Sequence, residues 1–527
     1  MPITAPTDSD IAPFGNEPTL DFNRAHVRGE FEQALARVRE QMGQRYPMVI
    51  AGREEGASTE FSATCPADPS RVVGRFPSGD STAAVRALEA ADAAFPAWSQ
   101  VRARERADYL FRAANEVRRR RLELAAWMVF EVGKSWAEAD GEVAECVDLI
   151  DYYARRMVAL DGSQTTTLAT LPGESTDFFY IPLGAGAVIS PWNFPMALTF
   201  GMASAAIVAG NTVVIKPAST SPTSVHQLAR AFEAAGLPSG VMNIVTGPGG
   251  LIGDTLVDHP RTRFVAFTGS MEIGVRIHER AAKVHPGQIW IKRTVLEMGG
   301  KNAVIVAGDA DLDAAAEGVV ASAFGFQGQK CSAGSRAIID QAVYDEFVPL
   351  ILERAAKLRV GDPIDPEVTV GPVITASARD AILRFIEIGK TECTLLLGGG
   401  RVDAPGYLIQ PTIFGDVDPN ATVAQDEIFG PVLACIKARD FDHALQIANG
   451  TRFGLTGAVF SRDRAKLERA RREFHVGNLY FNRKSTGALM GVHPFGGFNM
   501  SGTDSKAGGP DYLLLFLQGK SIGDRIV

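Results

Sequence analysis

The stretch GFQGQKCSAGSR, residues 325–336, places a cysteine among small and polar residues, directly after a lysine. Most cysteine side chains lie among apolar neighbours, so Cys331 is a candidate nucleophile rather than a core residue. A neighbouring cation such as Lys330 lowers the pKa of a thiol and enriches the reactive thiolate. Because no histidine occurs between His285 and His443, a cysteine hydrolase is disfavoured, although this interpretation stays open.

Glu297 lies in LEMGGKNAVIV, where it precedes Gly299 and Gly300 and then a predicted strand. A carboxylate beside a flexible glycine pair has room to move, which suits a general base that serves more than one step. On this fragment alone, a carboxylate of a surface loop is the simpler interpretation.

Asn193 lies in VISPWNFP, where Pro191 forces the chain out of a predicted strand that ends at Ser190. Its side-chain amide could cap a helix that begins at Pro195, or it could donate to an oxyanion. The fragment alone favours the cap.

Two further fragments have the form of a phosphate or nucleotide site. Lys216 ends the strand candidate NTVVIKP, and ligands of α/β proteins bind at the carboxyl ends of strands. Gly269 and Ser270 join a strand to a helix in FVAFTGSMEIG, and a helix N-terminus favours phosphate. Each signal is weak alone, because single lysines are usually solvated and glycines in such loops often have a steric role.

From residue 185 onward, short runs rich in Val, Ile and Phe alternate with helical patterns. The strand candidates are AGAVIS, NTVVIKP, VMNIVTG, RFVAFTGS and NAVIVAG, followed by SRAIID, PVLACIKA, GLTGAVFS and GNLYF. This alternation predicts two α/β domains in series, built on parallel sheets. Before them we expect helices up to about Arg156, including a single amphipathic helix in YLFRAANEVRRRRLELAAWMVFEVG, and then an extended segment from about Leu160 to Tyr180.

Composition narrows the class of protein. Apolar residues make up 46 % of the 527 residues, charged residues 22 %, and the net charge is −8. This balance argues against binding to nucleic acid or to a membrane surface, and we interpret the run Arg118–Arg121 as a solvated helix face. Five cysteines without a CxxC pair indicate reduced thiols, and no histidine pattern predicts a metal site. With no secretory signal pattern at the N-terminus and no apolar run long enough for a bilayer, we expect a cytoplasmic protein.

Several fragments occur in an order and spacing that resemble the aldehyde dehydrogenase family: SPWNFP, KPAS, FTGS, LEMGGK, GQKCSAGSR, DEIFGPV and FGGFNMSG. The resemblance extends from about Tyr46 to the end of the chain. It implies an α/β fold with a Rossmann-type NAD-binding domain in residues 1–159 and 181–296 and an α/β catalytic domain in residues 297–498. It also implies a β-hairpin oligomerisation arm from residues 160–180 and 499–527. A lone ribbon edge favours a homodimer or a dimer-based oligomer such as a hexamer.

The resemblance also implies roles for individual residues. Cys331 would attack the aldehyde carbon, Asn193 and the Cys331 backbone N–H would hold the oxyanion, and Glu297 would activate the water that cleaves the thioester. Hydride would pass to NAD, whose expected binding residues are Ile189, Pro191, Trp192, Lys216, Ser219, Gly249, Thr268, Gly269, Ser270, Glu427 and Phe429. Ser219 stands where many NAD-preferring members carry a glutamate, which leaves the acceptance of NADP open.

A narrower resemblance is to the monofunctional members of this family that oxidise L-glutamate γ-semialdehyde, which forms from 1-pyrroline-5-carboxylate in proline catabolism. It depends on YPMVIAG, GQIWIKR and above all NRKSTGALMGVHPFGG. The implied substrate residues are Glu145, Phe194, Lys330, Ser332, Gly487, Ala488 and Phe495. Backbone N–H groups of Gly487 and Ala488 with the Ser332 hydroxyl would bind the carboxylate, and Glu145 would meet the α-ammonium.

Two other functions stay open. A dehydrogenase for another semialdehyde, such as that of succinate, would carry an arginine near the carboxylate in place of the TGA loop. A non-catalytic binding scaffold would have lost Cys331, Asn193 or Glu297, and all three are present. A CoA-acylating relative is disfavoured because such enzymes dispense with the base at Glu297.

Overall fold

The structure is a computed structural model that describes residues 13–162, 168–169 and 171–525. Its α-helices are α1 (Ala25–Gln41), α2 (Ser81–Ser99), α3 (Ala103–Arg119), α4 (Arg121–Val132), α5 (Trp136–Leu160), α6 (Ala197–Val208), α7 (Pro222–Ala234), α8 (Asp254–Asp258), α9 (Met271–Ala281), α10 (Leu312–Phe324), α11 (Tyr344–Ala356), α12 (Ala376–Glu392), α13 (Thr422–Gln425), α14 (Phe441–Asn449) and α15 (Arg464–Glu473). Its strands are β1 (Gln44–Arg45), β2 (Met48–Ile50), β3 (Arg53–Glu55), β4 (Glu60–Cys65), β5 (Asp68–Pro77), β6 (Glu174–Pro182), β7 (Ala185–Ile189), β8 (Thr212–Lys216), β9 (Met242–Ile244), β10 (Phe264–Thr268), β11 (Arg293–Glu297), β12 (Ala303–Val306), β13 (Arg336–Asp340), β14 (Thr394–Leu397), β15 (Thr412–Gly415), β16 (Val432–Ala438), β17 (Phe453–Gly454), β18 (Thr456–Phe460), β19 (Asn478–Phe481), β20 (Phe498–Asn499) and β21 (Leu517–Arg525).

The first large sheet has the strand order β11-β10-β7-β8-β9-β2-β3. The strands from β11 to β9 are parallel, whereas β2 and β3 join the edge antiparallel. Strands β7, β8 and β10 are buried at every position because helices cover both faces of the sheet. The chain leaves β7 toward β8 on one side and returns to β10 on the other. A topological switch point therefore lies between β7 and β10, where open α/β sheets bind ligands.

The second large sheet has the order β14-β15-β16-β13-β12-β18-β19, and β14 is its antiparallel strand. Helices α10 and α11 pack on one face, and α12 and α14 pack on the other. The segment MGGKN, residues 298–302, carries the chain from β11 of the first sheet directly into β12 of the second. Glu297 and Cys331 thus belong to elements that meet where the two sheets adjoin.

Three smaller sheets occur among the described residues, and the smallest is the antiparallel pair of β17 and β20. Strands β1, β5 and β4 form one of them, and β6 pairs with β21 in an antiparallel ribbon from Glu174↔Arg525 to Pro182↔Leu517. Most of β21 is exposed. Part of the predicted arm, residues 163–167 and 170, lies outside the described residues. The division of the chain into domains and arm stays a prediction, although its boundary at Glu297 coincides with the end of β11.

Two local predictions are wrong. Strands β1 to β5 lie between α1 and α2, where the sequence predicted helices, because these short and half-exposed strands lack continuous apolar runs. The single helix predicted around Arg118–Arg121 is instead α3 and α4, which meet at Arg120. The side chains of Arg120 and Arg121 are only 9 % and 11 % exposed and form ion pairs with Glu123 and Asp140, so they do not form a solvated face.

None of the helices in the described ranges is long and apolar enough to cross a bilayer. Across the same residues, no group of three or more His, Cys, Asp or Glu side chains is placed to hold a metal ion. The cytoplasmic location stays a prediction.

Candidate active site

Cys331 follows a short 3₁₀-helical turn, Gly325–Gly328, whose backbone is strained. Phe326 and Gln327 have φ values of 50° and 55°, a region that L residues rarely occupy. The Gln327 side chain secures this turn, since its Nε2 donates to Gly133 O at 3.1 Å and to Pro372 O at 2.9 Å. Strain of this kind persists only where the surroundings determine the conformation, and it clusters at functional sites.

The Asn193 side chain reaches the Cys331 turn. Its Nδ2 donates to the backbone oxygen of Gln329 at 3.0 Å, and the Gln329 side chain accepts from Ile374 N at 3.0 Å. Asn193 does not cap the following helix, so the interpretation favoured by the fragment alone is wrong. Helix α6 begins at Ala197, and the Glu142 carboxylate accepts the N–H groups that precede and open it, from Met196 at 2.8 Å and Ala197 at 3.2 Å.

Asn302 fixes the backbone on the far side of Cys331. Its Nδ2 donates to Cys331 O at 2.7 Å and to Ala333 O at 2.8 Å. A Cβ atom on Gly300 would lie 2.6 Å from Cys331 O, so this close approach requires glycine. The Cys331 N–H donates to no backbone or side-chain acceptor in residues 13–162, 168–169 and 171–525, which leaves it free to donate to a ligand.

The neighbouring glycine has a second role in close packing. A Cβ atom on Gly299 would overlap the carboxylate of Glu427. Glu427 Oε1 also accepts from Gly300 N at 2.9 Å. The sequence assigned the glycine pair to the mobility of Glu297; the structure adds that the pair lets the loops of Cys331 and Glu427 approach the segment between the sheets.

Glu297 is 8 % exposed at the end of β11, so its interpretation as a surface-loop carboxylate is wrong. Among the described residues, neither of its carboxylate oxygens has a hydrogen-bond partner. Burial raises the pKa of Glu297 well above its ordinary value, and Lys506 opposes this shift. The residue lines a cavity of about 40 Å³ together with Phe495 and Thr268. A buried carboxyl with an upward-shifted pKa suits proton transfer near neutral pH.

Burial also raises the pKa of the Cys331 thiol, and the charges of Glu297, Glu427 and Glu145 raise it further. Lys330 does not produce the downward shift expected from the sequence. Its Nζ lies 2.7 Å from Glu138 Oε1, so its charge is directed to that carboxylate. These surroundings disfavour the Cys331 thiolate, so addition of the sulfur to a carbonyl depends on oxyanion donors.

The residues expected around NAD line the switch point between β7 and β10. Ile189 ends β7, and Pro191 and Trp192 follow it. The Trp192 ring packs edge-to-face on Phe429 with centroids 5.6 Å apart, and Phe429 has a φ of 55°. Thr268 ends β10, where its hydroxyl lies 3.6 Å from the Met202 sulfur.

The remaining expected cofactor residues lie beside β8 and at the start of α9. Burial lowers the pKa of Lys216 to about 8, and its Nζ donates to Pro217 O at 2.8 Å. Ser219 is exposed, and Gly249 has open space beside it apart from the Lys216 side chain. Gly269 N donates to Glu297 O at 3.1 Å, and Ser270 caps α9.

These surroundings fit a dinucleotide. At the end of β7, the Ser190 hydroxyl is buried and finds no partner within the described residues. An unpaired donor, a buried ammonium group and a helix N-terminus at one switch point together suit a phosphate-bearing ligand.

The expected substrate residues lie on three elements. Glu145 is half-buried on α5, and burial raises its pKa to about 7, so it is not a surface acid. Phe194 lies edge-to-face to Phe326, with centroids 6.1 Å apart. The Ser332 backbone oxygen accepts from the hydroxyls of Thr456 and Ser485, both at 3.3 Å.

Gly487 and Ala488 lie in the loop that follows β19. Gly487 has a φ of 78°, and its carbonyl accepts from Arg483 Nη2 at 2.9 Å. This hydrogen bond fixes the orientation of the peptide group between Gly487 and Ala488. Phe495 pairs its backbone with Ala507 and lines the cavity beside Glu297. The structure therefore brings the catalytic and substrate candidates together between α5, the Cys331 turn and this loop.

The residues that hold this arrangement were not predicted from the sequence: Lys134, Glu138, Glu142, Asn302, Gln327 and Gln329. Only a weak pattern in the sequence could have indicated any of them. Glu138, Glu142 and Glu145 recur at helical spacing on α5, a helix that is buried along most of its length. Acidic residues repeated on a helix with such apolar surroundings indicate paired charges rather than a solvated face.

The fold and this site define the chain as an aldehyde dehydrogenase: it belongs to the aldehyde dehydrogenase family, whose sequence model matches residues 53–522. The family resemblance predicted from the ordered fragments is confirmed. A 1-pyrroline-5-carboxylate dehydrogenase of Geobacillus sp. (strain WCH70) is 54 % identical over 515 residues, which are 98 % of this chain and 99 % of the relative. The enzyme of that name from Bacillus subtilis (strain 168) is 51 % identical over 512 residues, which are 97 % of this chain and 99 % of the relative.

A solved structure of similar fold is the 1-pyrroline-5-carboxylate dehydrogenase from Thermus with bound NAD. It matches with a TM-score of 0.96 and 48 % sequence identity, covering 98 % of this chain and 100 % of that chain. The predicted α/β fold of this family is therefore confirmed.

Proposed function

We propose that this chain is an NAD-dependent dehydrogenase that oxidises L-glutamate γ-semialdehyde, formed from 1-pyrroline-5-carboxylate, to L-glutamate. The observation that carries the proposal is the meeting of Asn193, Cys331 and Glu297 where the two sheets adjoin. The names of the full-length relatives, and the NAD bound to the Thermus enzyme, support the choice of substrate and cofactor.

The first step is addition of the Cys331 sulfur to the aldehyde carbon. The thiol proton passes to solvent as the sulfur adds, so Glu297 is not needed before hydride transfer. The Asn193 amide and the free Cys331 N–H donate to the oxygen that becomes negative. One such donor contributes about 3 kcal/mol to the transition state.

Bound NAD supplies the hydride acceptor. Loss of hydride from the same carbon leaves a thioester on Cys331, and Glu297 then takes a proton from the water that attacks it. The carbon–sulfur bond breaks, the product leaves as a carboxylate, and the thiol is restored. The pKa of Glu297, raised by burial, makes this residue a stronger base than an exposed carboxylate would be.

For the cofactor we propose that Lys216 and Ser219 lie on the adenosine ribose, Ser270 on the pyrophosphate and Glu427 on the nicotinamide ribose. The buried ammonium of Lys216 and the carboxylate of Glu427, held at Gly300 N, support these roles. Because Ser219 is neutral and exposed, we infer that NADP is also accepted, less well than NAD.

The substrate end opposite the aldehyde carries an ammonium and a carboxylate on one carbon. We infer that Glu145 meets the ammonium and that the N–H groups of Gly487 and Ala488, with the Ser332 hydroxyl, meet the carboxylate. Phe194 and Phe495 would enclose the methylene groups, and Lys330 would add positive charge at the carboxylate end. The charge of Glu145 acts on the Cys331 thiol, and the Ser485 hydroxyl of the loop donates to Ser332 O, so both groups of residues border the Cys331 turn, which supports this division.

We also propose that the chain forms a homodimer or a dimer-based oligomer such as a hexamer. The two-stranded ribbon of β6 and β21 has mostly exposed residues along β21 and presents an open edge. Sedimentation analysis of the wild-type chain tests this part of the proposal, and a monomer at micromolar concentration would contradict it.

The substrate is tested by measuring NADH formation with three five-carbon aldehydes: glutamate semialdehyde, 5-oxopentanoate, which lacks the ammonium, and pentanal, which lacks both charges. We expect kcat/KM to fall in that order. The variant Ala488→Pro removes one backbone donor and should lower kcat/KM for glutamate semialdehyde by about tenfold or more, and pentanal oxidation much less. Leu489→Ala, a change of an exposed side chain in the same loop, is the control. A preference for pentanal in the wild-type enzyme would contradict the substrate.

A further inference from the structure

A segment before the family-matched region packs on α5, the helix that carries Glu145. Residues 14–20 lie along α5 and attach to it through the backbone. Glu17 N donates to Asp148 Oδ1 at 2.7 Å, and Leu20 N donates to Asp140 Oδ2 at 2.8 Å. Since the family model begins at residue 53, the shared fold of the family does not account for this segment, which we name the N-terminal strap.

Arginine side chains of α3 and α4 fasten the N-terminal strap from the other side. Arg121 bonds to Asp140 at 2.6 Å and to Pro18 O at 2.8 Å, and Arg118 Nε lies 2.8 Å from Glu17 Oε2. These are the same arginines that the sequence suggested were solvated. Their contacts give the strap a fixed path rather than a loose association.

The tip of the strap touches the loop proposed to bind the substrate carboxylate. Asn16 Nδ2 donates to Asp148 Oδ2 at 2.9 Å and to Met490 O at 3.1 Å. The amide therefore uses both of its hydrogens to join α5 to this loop. Close packing confirms the contact, because a Cβ atom on Gly491 would lie 3.0 Å from the Tyr152 ring and 3.3 Å from the Phe14 ring.

A second connection runs from α5 to the same loop. The Tyr153 hydroxyl accepts from Gly508 N at 2.8 Å, and Gly508 O accepts from Gly491 N at 3.0 Å. This path holds the loop at Gly491. The Asn16 bond holds the adjacent residue Met490, which is closer in sequence to Ala488.

We propose that Asn16 is a positioning residue that sets the separation between α5 and the carboxylate-binding loop, and thereby determines specificity for an α-amino acid aldehyde. Asp148 lies one helical turn from Glu145, so the same stretch of α5 carries the Asn16 contact and the proposed ammonium anchor. In glutamate semialdehyde the ammonium and carboxylate share one carbon, which requires their two anchors to converge. This inference rests on the proposed function and goes further by assigning selectivity to a residue outside the family-matched region.

The test compares Asn16→Ala, which removes both donors, with the wild-type full-length enzyme. We expect KM for glutamate semialdehyde to rise about fivefold to thirtyfold, since the variant loses one hydrogen bond to a charged group and one to a carbonyl. The kcat for glutamate semialdehyde and the kcat/KM for pentanal should change by less than about twofold. Asn16→Gln retains both donors and should recover part of the loss. Asn23→Ala, at an exposed asparagine near the end of the strap, should match wild type.

An equal loss on glutamate semialdehyde and pentanal, or an unchanged KM, would overturn the positioning role. If the wild-type enzyme does not prefer glutamate semialdehyde, the proposed function has failed by itself. Amide hydrogen exchange then decides the inference separately: faster exchange at residues 489–492 in Asn16→Ala supports the strap contact, and unchanged exchange refutes it.

Discussion

Lys134 and Glu142 form an ion pair in which both side chains are 0 % exposed, with Nζ 2.5 Å from Oε2. The other Glu142 oxygen accepts the N–H groups at the start of α6, just after Asn193. The Lys134 ammonium lies 3.5 Å from the centroid of the Phe194 ring and 4.6 Å from that of Phe326. One buried pair thus supports both the oxyanion residue and the strained turn before Cys331, with cation–π contacts that are strong because the charge is desolvated.

Glu142→Gln should destabilise the protein strongly. The amide nearly keeps the shape of the side chain but leaves the Lys134 ammonium buried without this counter-charge, which costs about 3–5 kcal/mol. The thermal unfolding midpoint should fall by several degrees. The double variant with Lys134→Met should regain much of the loss. As a control, Glu353→Gln removes an exposed pair with Lys357 and should leave the midpoint unchanged. If Glu142→Gln and Glu353→Gln have the same unfolding midpoint, the buried pair does not stabilise the site.

The buried parallel strands could be predicted from the sequence because such strands are continuous apolar runs. Strands β7, β8, β10 and β12 all occur where AGAVIS, NTVVIKP, RFVAFTGS and NAVIVAG predicted them. Strand β11 was missed, because it begins with two half-buried residues, Arg293 and Thr294, and offers only a short apolar run before Glu297. Half-exposed strands carry no distinctive period, and tertiary pairing determines them.

The features of the candidate site likewise fall into those that the sequence could predict and those that it could not. Cys331, Asn193 and Glu297 could be found because their fragments are local and distinctive. The burial of Glu297, the pairing of Lys330 with Glu138 and the capping of α6 by Glu142 could not be found. Each depends on a contact between residues far apart in the chain. A charged residue in a helical pattern usually lies on the solvent-exposed face of the helix, so the pattern does not reveal a buried ion pair.

Cys331→Ala should abolish NADH formation from any aldehyde while NAD binding persists. The side chain lies in a turn whose backbone is held by Asn302 and Gln327, so loss of the sulfur should not disturb the fold. Isothermal titration with NAD and a steady-state assay measure the two properties separately. More than trace turnover in the variant would remove Cys331 from the role of nucleophile.

Glu297→Gln should slow hydrolysis of the thioester more than hydride transfer, because a neutral amide cannot take a proton from water. Stopped-flow mixing with NAD and substrate should therefore give a burst of NADH close to one equivalent per site, followed by slow turnover. Glu427→Gln is a matched comparison, since it changes a nearby carboxylate placed on the cofactor side. Absence of the burst in Glu297→Gln, with normal NAD binding, would argue that this carboxylate is needed before hydride transfer.

Ser219→Glu should increase discrimination against NADP. A carboxylate about 4 Å from a 2′-phosphate repels it by roughly 4 kcal/mol at an effective dielectric constant near 20, and the exposure of this position reduces the effect. We expect kcat/KM for NADP to fall about tenfold or more relative to that for NAD. Ser219→Gln has the same length without the charge and should leave the ratio near that of wild type. An unchanged ratio in Ser219→Glu would place residue 219 away from the ribose.

Glu145 should give substrate binding a pH dependence of its own. Burial, followed by the charge of Glu142, raises the pKa of Glu145 to about 7, so its carboxylate gains a proton as the pH falls through that value. The protonated form does not attract the substrate ammonium. KM for glutamate semialdehyde should therefore rise as the pH falls from 8 to 6, by up to about tenfold at one unit below the pKa.

The matched substrate 5-oxopentanoate has no ammonium and should lack this dependence, and Glu145→Gln should remove it for glutamate semialdehyde. Stability gives an independent check of the sign. Because folding raises the pKa of Glu145 above its ordinary value of 4.5, its protonation favours the folded state. That contribution is fully present below about pH 4.5 and is lost as the pH rises through about 7. Glu145→Gln should therefore gain stability relative to wild type between pH 5 and pH 8, measured by thermal unfolding at each pH. If the variant keeps the wild-type pH profile of KM, Glu145 does not bind the ammonium.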